Sequence, residues 1–176
     1  MTLNLHRSCG VACTLLLAIA LALPLQANAQ RFKPGPDTIA EIAVTNGNFN
    51  TLVAALACTG LVGAVADPEA ELTVFAPTDT AFKDQLGLDA TNICSTFDTE
   101  TLTTILLYHV VGERRPSPSV INGRNKSIEM LAGGSIFPEG QRSLVIDANA
   151  STVNIETADV MASNGIIHIV DGVLLP

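Results

Sequence analysis

Apolar positions recur at helical spacing through the first half of the chain and at alternate positions through the second. Ile39, Ile42 and Val44, after Thr38, predict a short helix, which Asn46, Gly47 and Asn48 break. Phe49, Leu52, Val53, Leu56 and Ala57 share one helical face and predict a second helix ending at Gly60, with a further turn over residues 61–65. Asp98 or Thr99 caps another helix, with Glu100 in its first turn and Leu102, Ile105 and Leu106 on one side, ending near Tyr108. His109, Val110 and Val111 turn the pattern towards strand, and Pro116 and Pro118 predict an extended segment. Beyond Val120 the expected elements are strands at residues 127–131, 143–147, 151–155, 159–161 and 166–170.

Between the early helices lies the joint that organises the chain, residues 73–82, reading TVFAPTDTAF. Thr73, Val74 and Phe75 predict a strand; Pro77 has no backbone donor, holds Ala76 extended and stops the strand there. Thr78 is placed to cap a new helix by accepting from the N–H of Ala81, and Asp79 sets a negative charge in the first turn. Ala81 and Phe82 begin the apolar side of that helix, and Gly87 ends it. In residues 164–170, NGIIHIV, the expectation is a turn at Asn164-Gly165 with the glycine at positive φ, delivering Ile167 and Ile169 to the core. His168 then faces the other way, as a sheet residue with a satisfied hydrogen bond.

Helices first and strands later indicate an α+β domain, N-terminal half mainly helical and C-terminal half mainly strands. Residues 1–29 read as a signal peptide: Arg7 opens it, an apolar run follows, and Ala27, Asn28 and Ala29 form a small-residue cleavage pattern. Export to a secreted or periplasmic location follows, with cleavage near Ala29, and no later stretch has the length of a membrane span. Residues 30–37, with two prolines and a glycine, read as a poorly ordered arm, leaving residues 38–176 as one domain. The net charge is −8, and loss of Arg7 makes it more negative, so nucleic acid is excluded as a partner and a soluble monomer is expected.

Cys9 and Cys13 leave with the leader, and Cys58 and Cys94 remain. Two thiols in an oxidising compartment predict one disulfide. Their loop corresponds to about 4 kcal/mol in the chain-entropy model. Their spacing lacks the CxxC pattern of a metal site, and no cofactor is indicated. Asn125 and Asn149 begin N-x-Ser acceptor patterns, expected to stay bare in a bacterial host. Arg114 and Arg115 form the only adjacent basic pair, a solvated loop or an anion or glycan contact. Asp79, His109 or His168, and Ser163 permit a hydrolase on paper, but no GxSxG elbow accompanies them.

Three stretches resemble the blocks of fasciclin-type (FAS1) domains: TVFAPTDTAF, the pair Tyr108-His109, and NGIIHIVDGVLLP at residues 164–176. The resemblance implies a twisted β-sandwich or wedge with helices packed on one side and the opening and closing blocks meeting in its centre. It also implies a non-enzymatic adhesion or interaction module that binds a protein, glycan or cell surface, the alternatives being a small-ligand carrier with an apolar crevice or a hydrolase. Animal adhesion members carry an Asp-Ile pair implicated in integrin recognition. Here Asp159 and Val160 stand in that place, with valine for isoleucine. Tyr108 and His109 have two readings: an aromatic packed under its helix with polar tips tied to backbone, or a direct partner contact.

Overall fold

Thr38 opens the first helix with a reciprocal capping box: its hydroxyl accepts from the Glu41 N–H, and the Glu41 carboxylate accepts from the Thr38 N–H at 2.7 Å. In the computed structural model, which describes residues 35–121, 127–139, 144–146, 149–150 and 152–176, this is α1 (Ile39–Asn46), ended by Gly47 at φ 75. α2 (Asn50–Thr59) stops at Gly60 and is followed by α3 (Val62–Ala66). Phe49, at the N-cap of α2, supplies no capping side chain. Asp79 supplies it from elsewhere, accepting from the N–H of Thr51 at 2.7 Å, the N–H of Asn50 at 3.2 Å and the Asn50 amide at 2.9 Å. Asp79 itself opens α4 (Asp79–Leu86), where Thr78 accepts from the Ala81 N–H at 3.2 Å as the sequence predicts, and Gly87 ends the helix.

Cys58 on α2 and Cys94 on α5 (Ile93–Thr96) are joined as a disulfide with their Cα atoms 6.1 Å apart. Asp98 caps α6 (Thr99–Leu107) by accepting from the Thr101 N–H at 2.8 Å.

The strands are β1 (Leu72–Pro77), β2 (Val110–Val111), β3 (Ile128–Glu129), β4 (Ser135–Glu139), β5 (Leu144–Ile146), β6 (Thr152–Ala162) and β7 (Gly165–Val170). They form a mixed sheet in the order β2-β1-β7-β6-β5-β4-β3. β1 and β7 run parallel with Val74 opposite Ile167, and every other pairing is antiparallel, so the first and last strands meet inside the sheet. Alternate residues of these two strands serve two cores. Val74, Ala76 and Ile167 face a cluster with Ile39, Leu52, Phe82, Leu102 and Leu106 of the helices. Phe75 and Val170 face a second cluster to which every strand contributes, among them Val111, Ile128, Ile136, Val145 and Val153. The sheet thus wraps one face around its own core and presents the other to helices, an α+β wedge.

Four local expectations need correction. β1 continues through Pro77, which pairs with Val170; β2 opposes only Thr73 and Val74, so on that side the missing donor has no partner to lose. Of the expected strands 151–155 and 159–161, residues 152–155 and 159–161 belong to one strand, β6, whose pairing with β7 shifts register twice between Ile155 and Val160. β4 was not foreseen: Pro138 lies within it, beyond the two residues paired to β3. The segment after Pro116 is a helix, α7 (Ser117–Ile121), because Pro118 occupies its first turn, where a proline's missing N–H is no loss.

The leader, residues 1–29, lies outside the described residues. So do most of the arm and Asn125. The end of the arm is held: the Asp37 carbonyl accepts from Ser163 N–H at 2.8 Å, and a Cβ at Gly35 would lie 2.2 Å from the Met161 carbonyl oxygen.

Candidate functional site

The buried stripe of α6, Leu102, Ile105 and Leu106, carries the chain down onto the sheet, and Tyr108 caps its end. Tyr108 is 0% exposed and its hydroxyl donates to the Ser135 carbonyl at 3.0 Å. Gly134 leaves room for the ring, since a Cβ there would lie 2.3 Å from Tyr108 Cε2. His109 is 2% exposed; its Nε2 accepts from the Leu174 N–H at 2.9 Å, which places the ring proton on Nδ1, donated to the Ile105 carbonyl at 2.8 Å. Tyr108 therefore ties the end of α6 to β4, and His109 ties it to the closing segment. Both side chains are buried with backbone partners, the arrangement of the packed reading.

Asp159 lies in the second register shift of β6, between Thr157 and Val160, with φ 58. Its carboxylate accepts from the Ser117 N–H at 2.7 Å and from the Ser117 hydroxyl, capping α7. Its N–H donates to His168 Nδ1 at 3.3 Å, and His168 Nε2–H donates to the Arg115 carbonyl at 2.9 Å. His168 is buried, on the sheet face opposite Ile167, with its ring centroid 5.4 Å from that of Phe75. Burial pushes its pKa down from 6.5; the bond to the Arg115 carbonyl and the charge of Asp159 oppose this without reversing it. Val160 is half-buried and packs on the helix-side cluster.

At the β6–β7 hairpin, Asn164 is fully buried and joins three elements. Its side-chain oxygen accepts from the Ile39 N–H, and its amide donates to the carbonyls of Val65 and Asp67, each at 2.9 Å. Gly165 is not at positive φ, contrary to the expected turn. It is needed because β1 passes too close for a side chain: a Cβ would lie 2.2 Å from the Leu72 carbonyl oxygen. Thr73 is buried at the far edge of β1, donating to the Glu113 carbonyl at 2.6 Å and accepting from the Arg115 N–H at 2.7 Å.

The residues of the hydrolase alternative make other bonds. Asp79 is spent on α2, both histidines have their ring nitrogens on backbone groups, and Ser163 presents its backbone to Arg114 and Asp37. The arginines are also engaged, Arg114 donating to the Ser163 carbonyl at 2.6 Å and Arg115 to Glu113 at 2.8 Å. Asn149 is exposed and its amide donates to the Pro176 carbonyl at 3.1 Å. Among the described residues no group of His, Cys, Asp and Glu is placed to hold a metal, and no helix is long and apolar enough to cross a membrane.

A shallow cleft of about 400 Å³ lies over Thr51, Lys83 and Ala90, while two apolar hollows among the described residues are small. One of about 20 Å³ lies between α1, α2 and the sheet, against Phe49, Leu52 and His109, and one of about 90 Å³ lies beside Leu61, Leu107 and the exposed Leu131. A larger cleft of about 530 Å³ has an acidic rim of Asp79, Asp84, Glu156 and Asp171. Ser117 was not read ahead, and Asn164 was named only as a turn residue, without its bonds to Ile39, Val65 and Asp67. Ser117-Pro118 does carry the signal of a helix start, which the flanking Pro116 obscures.

The Fasciclin domain model matches residues 47–176. Protein sll1483 of Synechocystis sp. is 34% identical over 178 residues, covering 94% of this chain and 95% of its own. The cell surface glycolipoprotein MPB83 of Mycobacterium bovis is 32% identical over 145 residues, covering 80% of this chain and 61% of its own. Among solved structures, a FAS1 domain pair from the insect cell adhesion molecule fasciclin I matches with a TM-score of 0.66 at 17% identity, over 80% of this chain and 51% of that one.

Proposed function

The chain belongs to the fasciclin domain family, and from that premise we propose that it is an exported, non-enzymatic interaction module working through surface contacts with a protein, glycan or cell surface. The observation that carries this reading is that the side chains able to do chemistry are committed to the scaffold. His109, His168 and Asp79 each hold backbone groups in place, which leaves the surface as the working part. The carrier alternative loses support because hollows of about 20 and 90 Å³ fall below the few hundred Å³ that a small-molecule site fills. By their names, the Mycobacterium relative is a cell surface protein and the insect protein of this fold an adhesion molecule; both accord with residues 1–29 acting as an export leader.

The contact surface we assign is the bulged part of β6. Glu156 and Thr157 are exposed there, and Ala158, Asp159, Val160 and Met161 are half-buried. Asp159 shapes this surface more than it offers a free charge, since its carboxylate holds Ser117. The test is an overlay of the labelled chain on intact cells of the producing organism and on a glycan array, with a chromogenic ester assayed in parallel. Saturable binding without turnover is expected. Ester turnover that follows the folded protein, with no saturable binding, would put the hydrolase ahead.

A further inference from the structure

We propose that Ser117, Asp159 and His168 form an acid-sensitive latch, in which a proton taken up by His168 draws the Asp159 carboxylate off Ser117 and frees the start of α7. In the closed state His168 is neutral: Nδ1 has a lone pair, because it accepts from the Asp159 N–H, and Nε2 carries the proton given to the Arg115 carbonyl. A proton from solvent can add only at Nδ1. Two N–H groups then face each other, one on the ring and one on the backbone of Asp159, and neither can accept.

Relief is close at hand. From β6 the charged group facing His168 is Asp159 itself; from β1 the neighbour is the apolar ring of Phe75. The loop after β2 presents the Arg115 carbonyl; of its charged groups, the Arg115 guanidinium is paired with Glu113 and that of Arg114 bonds to the Ser163 carbonyl. α7 presents the uncharged Ser117. The Asp159 carboxylate is therefore the acceptor a protonated ring can recruit, and it can turn to the ring only by giving up Ser117. α7 has five residues, one of them Pro118, and Asp159 serves its first N–H, so the helix start is what this exchange releases.

The sign follows from the lowered His168 pKa. The closed form is fully favoured above about pH 6.5, where free histidine is already neutral. Its advantage is lost as the pH falls from there through the lower folded value. Acid would also alter partner binding if β6 is the contact surface, and that consequence alone rests on the reading above.

The test needs no partner, so the two ideas fail separately. In ¹⁵N-labelled protein, the ring nitrogens of His168 and the amides of Ser117 and Asp159 are followed from about pH 7.5 to about pH 4.5. Nδ1 should begin unprotonated and titrate with a midpoint below the ordinary histidine value, and both amides should shift with that same midpoint while Leu52 and Leu56 of α2 stay still. In His168→Gln, which keeps a donor and an acceptor without titrating, the Ser117 response should vanish; if that variant does not fold, the wild-type titration decides. A Ser117 amide that ignores the His168 titration, or a His168 that stays neutral until the whole domain unfolds, overturns the latch.

Discussion

Asp79 stands in the first turn of one helix while its carboxylate caps another, α2. Partial burial raises its pKa, but the Thr51 N–H, the Asn50 amide and the other bonds around the carboxylate outweigh this and hold it below the ordinary 3.8. Its stabilisation is thus present above that ordinary value and is lost as pH falls from there through the lower folded value. Asp79→Ala should cost about 1–2 kcal/mol at neutral pH by chemical denaturation, as lost N-caps do; an unchanged midpoint and slope would show that α2 is capped otherwise. Gly165 and Gly47 separate two reasons for a glycine. Gly47→Ala, at φ 75 with nothing within 4 Å of the new carbon, should lose about 1 kcal/mol of conformational preference. Gly165→Ala drives a carbon into the Leu72 carbonyl between paired strands and should lose distinctly more, about 1–3 kcal/mol or beyond. Equal losses would mean that β1 and β7 are further apart than described. The Thr78 cap was legible because its partner is three residues away. The Asp79 bonds span 28 and 29 residues and the Asn164 bond to Ile39 spans 125, distances over which no local pattern reports.

At the level of elements, helical spacing and glycine stops placed α1, α2, α4 and α6, because those signals are local and strong. What failed involved proline or strand pairing. Pro77, Pro118 and Pro138 each lie inside an element, at a position where the neighbouring strand has ended or the helix has just begun, and the sequence does not say where a neighbour ends. The gap that the sequence suggests between residues 155 and 159 is the pair of bulges in β6, set by its register against β7. The link between α2 and α5 is different, since export and two remaining thiols foretold it. Peptide mapping after alkylation without reduction should recover Cys58 and Cys94 in one linked fragment. Replacing both with serine should lower stability by about 2–4 kcal/mol. Alkylated Cys58 and Cys94 in the unreduced protein would contradict the link.

For the whole molecule, the proposed function uses the surface, and the pattern that resembled the family also drew attention to β6. Tyr108 and His109 carried two readings because an aromatic and an imidazole with backbone partners look the same in sequence whether buried or exposed; both are buried. The chain carries a net charge of −8, and Glu156, at the start of the bulge, also lines the acidic cleft with Asp84 and Asp171. Binding through this face should therefore weaken as added salt screens it. The most direct measurement compares wild type with Thr157→Arg, an exposed position outside both cores, in saturation binding of labelled protein to intact cells after their melting temperatures are shown to agree. The expected result is saturable binding by the wild type that the arginine abolishes or weakens by about tenfold or more, the scale of a charge and bulk introduced into a contact. Identical curves for the two proteins would remove β6 as the contact surface, and wild type that fails to saturate would contradict the interaction module itself.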